Sequence, residues 1–268
     1  MNNINIVITR YYNWLENLIS YNKLSTFHKL LIYDSLILFD KFVKYDRMIF
    51  NNFINETKLN IDNIEFDEMK ILPKFYLCLY AYLNNDKSKT SIFIQDWIKY
   101  IKDGDISNYD FPFNYWRNYS QNIPLKTTSF ETSQLKDIVD LYSNTINMQT
   151  LFGTNNEQFE LSDSNFHFLE AIMILLYKKE YNLIFANSLL RSLHYVSHKN
   201  SFVNDSALNY LYLQQNHLGY FGNYLKTTFD DIDINSILNI SFDSIQTLLE
   251  FSNPDFRLLY EIQIGLEI

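Results

Sequence analysis

Turn-forming residues are scarce in this chain, which carries five glycines and four prolines in 268 residues. An all-β protein turns about every ten residues, usually on Gly, Pro or Asn-Gly. That punctuation is missing, which excludes a sandwich or a barrel. Cysteine occurs once, at Cys78. A single thiol supports neither an internal disulfide nor a thiolate zinc site, and it fits a reducing compartment. Within FYLCLYAYL it reads as a small buried hydrophobe and a poor nucleophile. Positive charge is short as well: 22 basic against 31 acidic residues leave a net charge of -9. No field draws in a phosphate backbone, so nucleic acid is excluded as a partner.

Long apolar runs are lacking too. The most apolar stretches, FHKLLIYDSLILFDKFV and FHFLEAIMILLYKKEY, are interrupted by Asp34, Asp40 or Glu170, short of the roughly 18 apolar residues that a membrane span needs. At the amino terminus, MNNINIVITRYYNWLENL has Asn where a secretory leader carries basic residues, so no signal peptide is expected. These absences predict a soluble, cytoplasmic protein. Neither a glycine-rich phosphate loop nor a Gly-x-Ser-x-Gly elbow occurs, and kinase, dinucleotide-binding and serine-hydrolase readings therefore have no footing.

What is abundant is apolar and aromatic. Hydrophobic residues make up 47% of the chain and aromatics 17%, far above what a disordered chain carries. Phe, Tyr, Ile, Asn and Lys all have A/T-rich codons, so genome composition explains the mixture and the aromatics alone do not mark a pocket. A chain of this length is expected to form a single domain with a sizeable core.

The periodicity is helical. In KLLIYDSLILFDKFVKYDRMIFNNFI, Leu30, Tyr33, Ile37, Phe42, Tyr45, Ile49 and Phe53 recur at steps of three to five on one broad face, with Ser25 or Thr26 as N-cap. Further helices are expected at about 67–83, 88–102, 132–149, 163–179, 183–196 and 203–215. A short one follows at 234–240, then a closing pair at 242–251 and 255–264. Residues 103–130, which hold two of the four prolines, read as a long connection that could join subdomains. Two stretches, 69–101 and 166–195, share a hairpin design, the second turning at KKEYN. The expected fold is all-α: about a dozen helices arranged as hairpins, in an α/α-toroid-like ring or an irregular bundle.

One motif stands out. In YLQQNHLGYFGNY, Gln215, Gly219 and Phe221 follow the spacing Gln-x-x-x-Gly-x-aromatic. It resembles the QW motif of the α/α-toroid proteins, which include triterpene cyclases and their prenyltransferase relatives, and the preceding ALNYLYLQQN resembles an inner-helix ending of that superfamily. The resemblance implies that Gln215 closes one helix and bonds backbone groups of the next, with its amide stacked on the Phe221 ring and Gly219 making the turn. Phe221 stands where the family has Trp, and His217 and Leu218 stand where it prefers Asp-Gly. A partial second copy, Gln149 and Gly153, ends in Asn155 and lacks the ring. The family's Asp-x-Asp-Asp acid motif is absent. Asp230, Asp231 and Asp233 are too closely spaced for a magnesium-diphosphate set, and they fit the amino-terminal end of the following helix, with Asp233 as cap.

Four of the five histidines fall between His167 and His217. His194 and His198 are four apart, a spacing that would face one side of a helix, and Glu170 or His167 could complete an open iron or zinc site. No Glu lies between the pair, so the metalloprotease pattern fails; a solvated pair near a helix end is the simpler reading. Two functions follow as expectations, with no cofactor specified. The first is an enzyme-like helical protein of bacterial biosynthetic type, holding an apolar or peptide substrate in a central cavity, with His217, His194, His198, Glu170 and Asp205 as candidate catalytic groups. The second is a non-catalytic module whose Tyr-, Phe- and Asn-lined surface binds a peptide or protein. A metal-dependent oxidase is the third option.

Overall fold

The computed structural model describes residues 3–20, 24–61, 161–196, 201–222 and 233–253 as continuous stretches, together with 77, 79–81, 83–86, 135, 138–139, 142–143, 146–147, 150, 153 and 256–257. Among these residues there are helices and no strand: α1 Asn3–Ser20, α2 Thr26–Asp40, α3 Met48–Ile61, α4 Asp163–Leu175, a π-helical turn Leu176–Glu180, α5 Leu183–Val196, α6 Phe202–Leu213 and α7 Ile234–Ser252. The all-α class is thus observed, with eight helical elements among the described residues where about a dozen were expected. The expected connection 103–130 and helix 88–102 lie outside the described residues. Helices 67–83 and 132–149 do so for the most part, and the isolated described positions within them from 77 to 83 and from 135 to 147 are helical.

α7 is the hub, packing against α1, α2, α5 and α6, while α4 and α5 form a hairpin and α2 packs on α3. α2 buries residues all round its circumference, Leu30 to Leu36 and then Leu38 and Phe39, as an interior helix must. Aromatic rings fill the junction of α1, α2 and α7. Tyr11 lies 5.6 Å from Trp14 and 6.0 Å edge-on from Phe39, which stacks on Phe242 at 5.6 Å. Much of the aromatic content therefore serves as core.

Local chemistry sets the helix ends. Ser25 caps α2 in extended conformation: its Oγ accepts from His28 N–H, and its own N–H donates to His28 Nδ1, both at 3.2 Å. This is a capping box with histidine in place of the usual Glu or Gln. Ser162 and Ser201 cap α4 and α6 by accepting from the N–H three residues on. The α4–α5 hairpin turns within KKEYN, where Tyr181 adopts a left-handed φ of 51°.

Three boundaries differ from expectation. The pattern from Leu30 to Phe53 is two helices, because Asp40 turns the chain: its carboxylate accepts from Tyr45 N–H at 3.3 Å and pairs with Lys44 at 2.8 Å. The expected helices 234–240 and 242–251 are one, since Ser241, the supposed break, is buried and its Oγ accepts from Phe221 N–H at 2.9 Å. Asp233 occupies the N-cap position of α7 but makes no side-chain bond to the helix backbone; its carboxylate accepts from the Ser236 hydroxyl instead. Of the helix expected at 255–264, only 256–257 are described, in a turn closed by Phe256 N–H to Asn253 O at 2.9 Å.

Candidate functional site

The motif stretch is a clamp between three helices. After α6, Gln215 and Phe221 pair as an isolated antiparallel bridge. Asn216 N–H donates to Tyr220 O at 2.9 Å, and Asn216 Oδ1 accepts from the N–H groups of Leu218 and Gly219, also at 2.9 Å. Gln215 Nε2 donates to Val7 O and to Gly219 O, each at 2.8 Å, and Arg10 donates to Asn216 O at 2.7 Å. Gly219 has φ +111°, and a Cβ there would stand 2.1 Å from Arg10 O. The turn thus lies against α1, and Phe221 N–H ties it to α7 through Ser241. Gln215 spends its external bond on α1, the first helix, and not on the helix that follows it in sequence. His217 is exposed at the tip of the turn. Of the partial second copy, Gly153 is described, with φ +81°, packed beneath Tyr195 and Arg257; Gln149 and Asn155 lie outside the described residues.

The remaining nominated groups are spread over several environments. His194 stacks on Phe251 with ring centroids 4.1 Å apart, and its Nε2 faces the Arg257 guanidinium at 3.4 Å. Burial, and then the Arg257 charge, lower its pKa to about 4. A neutral ring whose Nε2 faces a cation is poorly placed to receive a metal ion. His198 lies outside the described residues. Glu170 is buried, with one oxygen on His167 Nδ1 at 2.8 Å and the other accepting from the Ser201 hydroxyl, so it ties α4 to the cap of α6. Asp205 is exposed in the first turn of α6, where a carboxylate complements the helix dipole. Among the described residues no group of three or more His, Cys, Asp or Glu side chains could hold a metal ion.

A polar seam runs along the α5–α7 contact, and nothing in the spacing of its residues announced it. Tyr177 OH donates to Asn187 Oδ1 at 2.7 Å, and Asn187 Nδ2 donates to Asp243 at 2.8 Å. Asp243 pairs with Arg191 at 2.9 Å. Burial opposes the Arg191 charge, yet Asp243 and then Glu250 outweigh it and raise its pKa. Glu250 is fully buried and accepts from Tyr195 OH at 2.5 Å and Gln246 Nε2 at 3.0 Å. Each carboxylate is matched by donors within the seam, which makes it a staple between helices and leaves no free acid or base along it. Asp34 is the exception in the core: it is fully buried, and neither carboxylate oxygen has a hydrogen-bond partner. Burial raises its pKa well above the ordinary carboxylate range.

Between α1 and α6 lies an open groove of about 350 Å³, lined among others by Ile6, Arg10, Asn209, Tyr212, Leu213 and Gln215. Ile6 is 47% exposed and Leu213 78% exposed. Gln215 Oε1 is buried beside the groove without a hydrogen-bond partner. The helical period of Ile4, Val7, Ile8, Tyr11, Leu15 and Leu18 is the signal that finds α1 and, with it, one wall of this groove.

Comparison with protein-family models, with curated proteins and with solved structures finds no match to the chain.

Proposed function

We propose that the chain is a helical binding module that takes an apolar peptide or protein segment along the α1–α6 groove and does not chemically transform it. The observation that carries this reading is the exposure of Leu213 and Ile6, at 78% and 47%, on the two walls of one groove, since large side chains left open in a concave surface mark interaction sites. The nominated catalytic groups support the same conclusion from the other side. His194 is neutral and stacked, Glu170 has both oxygens engaged, and Asp205 and His217 stand exposed on different elements. Panning a display library of helical peptides against the full chain tests the proposal. An enriched amphipathic family bound by the wild type and lost with Leu213→Lys supports it. The absence of enrichment, or binding indifferent to that substitution, overturns it.

A second reading, an enzyme-like protein holding a small apolar molecule, is favoured by Asp34, because a carboxyl buried without a partner is costly and such groups cluster at functional sites. The α/α-toroid likeness is proposed alongside it, supported by the bonds of Gln215 and the bend at Gly219. Native mass spectrometry decides for this reading if an apolar molecule co-purifies with the wild type and is lost with Asp34→Asn.

A further inference from the structure

The groove has a charge pattern as well as an apolar one. Arg10 lines it and spends one nitrogen on Asn216 O, and it forms no ion pair with a described carboxylate. On α6, Phe202, Ser206, Asn209 and Leu213 follow one another at four-, three- and four-residue steps, and all are exposed, Phe202 at 84%. Such spacing places them on a single face about 16 Å long, roughly three turns. Asp205 lies one turn before Asn209, exposed, without an ion pair to a described cation, and beyond the residues that line the groove. A cation thus stands in the groove where α6 ends against the clamp, and an anion stands on α6 beyond the groove, with Asn209, Tyr212 and Leu213 between them.

Building on the binding-module reading, we propose that the occupant of this groove is an amphipathic helix about three turns long. It carries a carboxylate that pairs with Arg10 and, about two turns away, a lysine or arginine that pairs with Asp205. Helix-in-groove recognition lays apolar anchors at steps of three and four residues into an apolar groove, here the one walled by Ile6, Tyr212 and Leu213. The complementary charges fix its orientation. A second copy of this chain is the poorer fit, because two bodies of net charge -9 repel.

The test uses a fluorescein-labelled, end-capped 15-residue peptide of leucine, alanine and glutamine, with one glutamate and one lysine flanking the leucine stripe eight residues apart. Anisotropy is read against the full chain. Replacing the glutamate by glutamine weakens binding to the wild type by about fivefold, as expected of a partly exposed pair, and by less than about twofold to Arg10→Gln. Replacing the lysine behaves likewise toward Asp205→Asn, and the crossed pairs show no coupling. Equal losses in wild type and Arg10→Gln, with Leu213→Lys still abolishing binding, overturn the charge pairing and leave the binding module standing. Failure of every peptide to bind, or binding indifferent to Leu213→Lys, overturns both. Sedimentation is the control for self-association: a dimer of the full chain that Leu213→Lys disperses makes the occupant a second copy and overturns the inference.

Discussion

Gly219 is held by two constraints at once, a positive φ and a carbonyl in the space where a side chain would begin. Gly222 separates them, because its φ of +109° is nearly that of Gly219 while the nearest atoms to its missing Cβ belong to Ile240, at 3.7 Å and beyond. Gly222→Ala therefore costs only the backbone strain, about 1–2 kcal/mol. Gly219→Ala adds displacement of the α1 backbone at Arg10 and costs well over about 2 kcal/mol. Urea denaturation of the two variants measures the difference, and equal midpoints would mean that the turn does not bear on α1. His194 offers a second measurement at this scale. With its pKa lowered to about 4 by burial and Arg257, its ring carbon resonance stays flat in NMR from pH 8 to pH 5 and moves only below. A titration centred near 6.5 would show the ring to be exposed. The Gln-x-x-x-Gly spacing was visible in the sequence because a turn writes its requirements into neighbouring residues. Arg10 was not, because its partner Asn216 lies 206 positions away.

Among the elements, α2 shows how a short-range signal fixes a boundary and how a long-range one obscures it. Ser25 was legible as a cap from its hydroxyl at the head of an apolar run. Its reciprocal partner was harder to foresee, since histidine closes the box only when Nδ1 is unprotonated and can accept from Ser25 N–H. Burial lowers the His28 pKa, against smaller opposing effects of Asn235 and Asp233. A lowered folded pKa means that the unfolded chain binds the proton more readily, so this contribution is complete above the ordinary histidine range and declines as pH falls. Ser25→Ala is expected to cost about 1 kcal/mol at pH 8. His28→Glu, which restores the usual partner, keeps the box at pH 5 and so loses less stability between pH 8 and pH 5 than the wild type. Chemical denaturation at the two pH values checks this, and an equal loss in both proteins refutes it. The α7 boundary failed in the sequence for a tertiary reason. Ser241 resembles a break until Phe221 arrives, 20 positions earlier in the chain, to occupy its hydroxyl.

At the scale of the whole molecule, the all-α class followed from helical period and missing turn residues, both properties of nearest neighbours. The groove and the seam did not follow, because their walls come from distant parts of the chain. Gln215 reaches Val7 across 208 positions, and Asn187 reaches Asp243 across 56. The same assembly of distant parts sets the stability of the protein against pH through opposing groups. His28 and His194, both lowered, make the folded state gain stability as pH rises into the ordinary histidine range near 6.5, the gain at His194 beginning from about 4. Asp34 acts in the other direction. Its carboxyl sits in the α2 core without a partner, and burial raises its pKa well above 3.8. The folded state therefore holds that proton after the unfolded chain has released it, and stability is lost as pH climbs from 3.8 toward the folded pKa. Asp34→Asn removes the opposing group and keeps the volume. The variant is expected to melt about 2 °C or more above the wild type at pH 7 and to show a steeper rise in stability between pH 4.5 and pH 7. Melting curves across that range decide it. If the two slopes are the same, Asp34 titrates as an ordinary surface carboxylate and its burial without a partner is refuted.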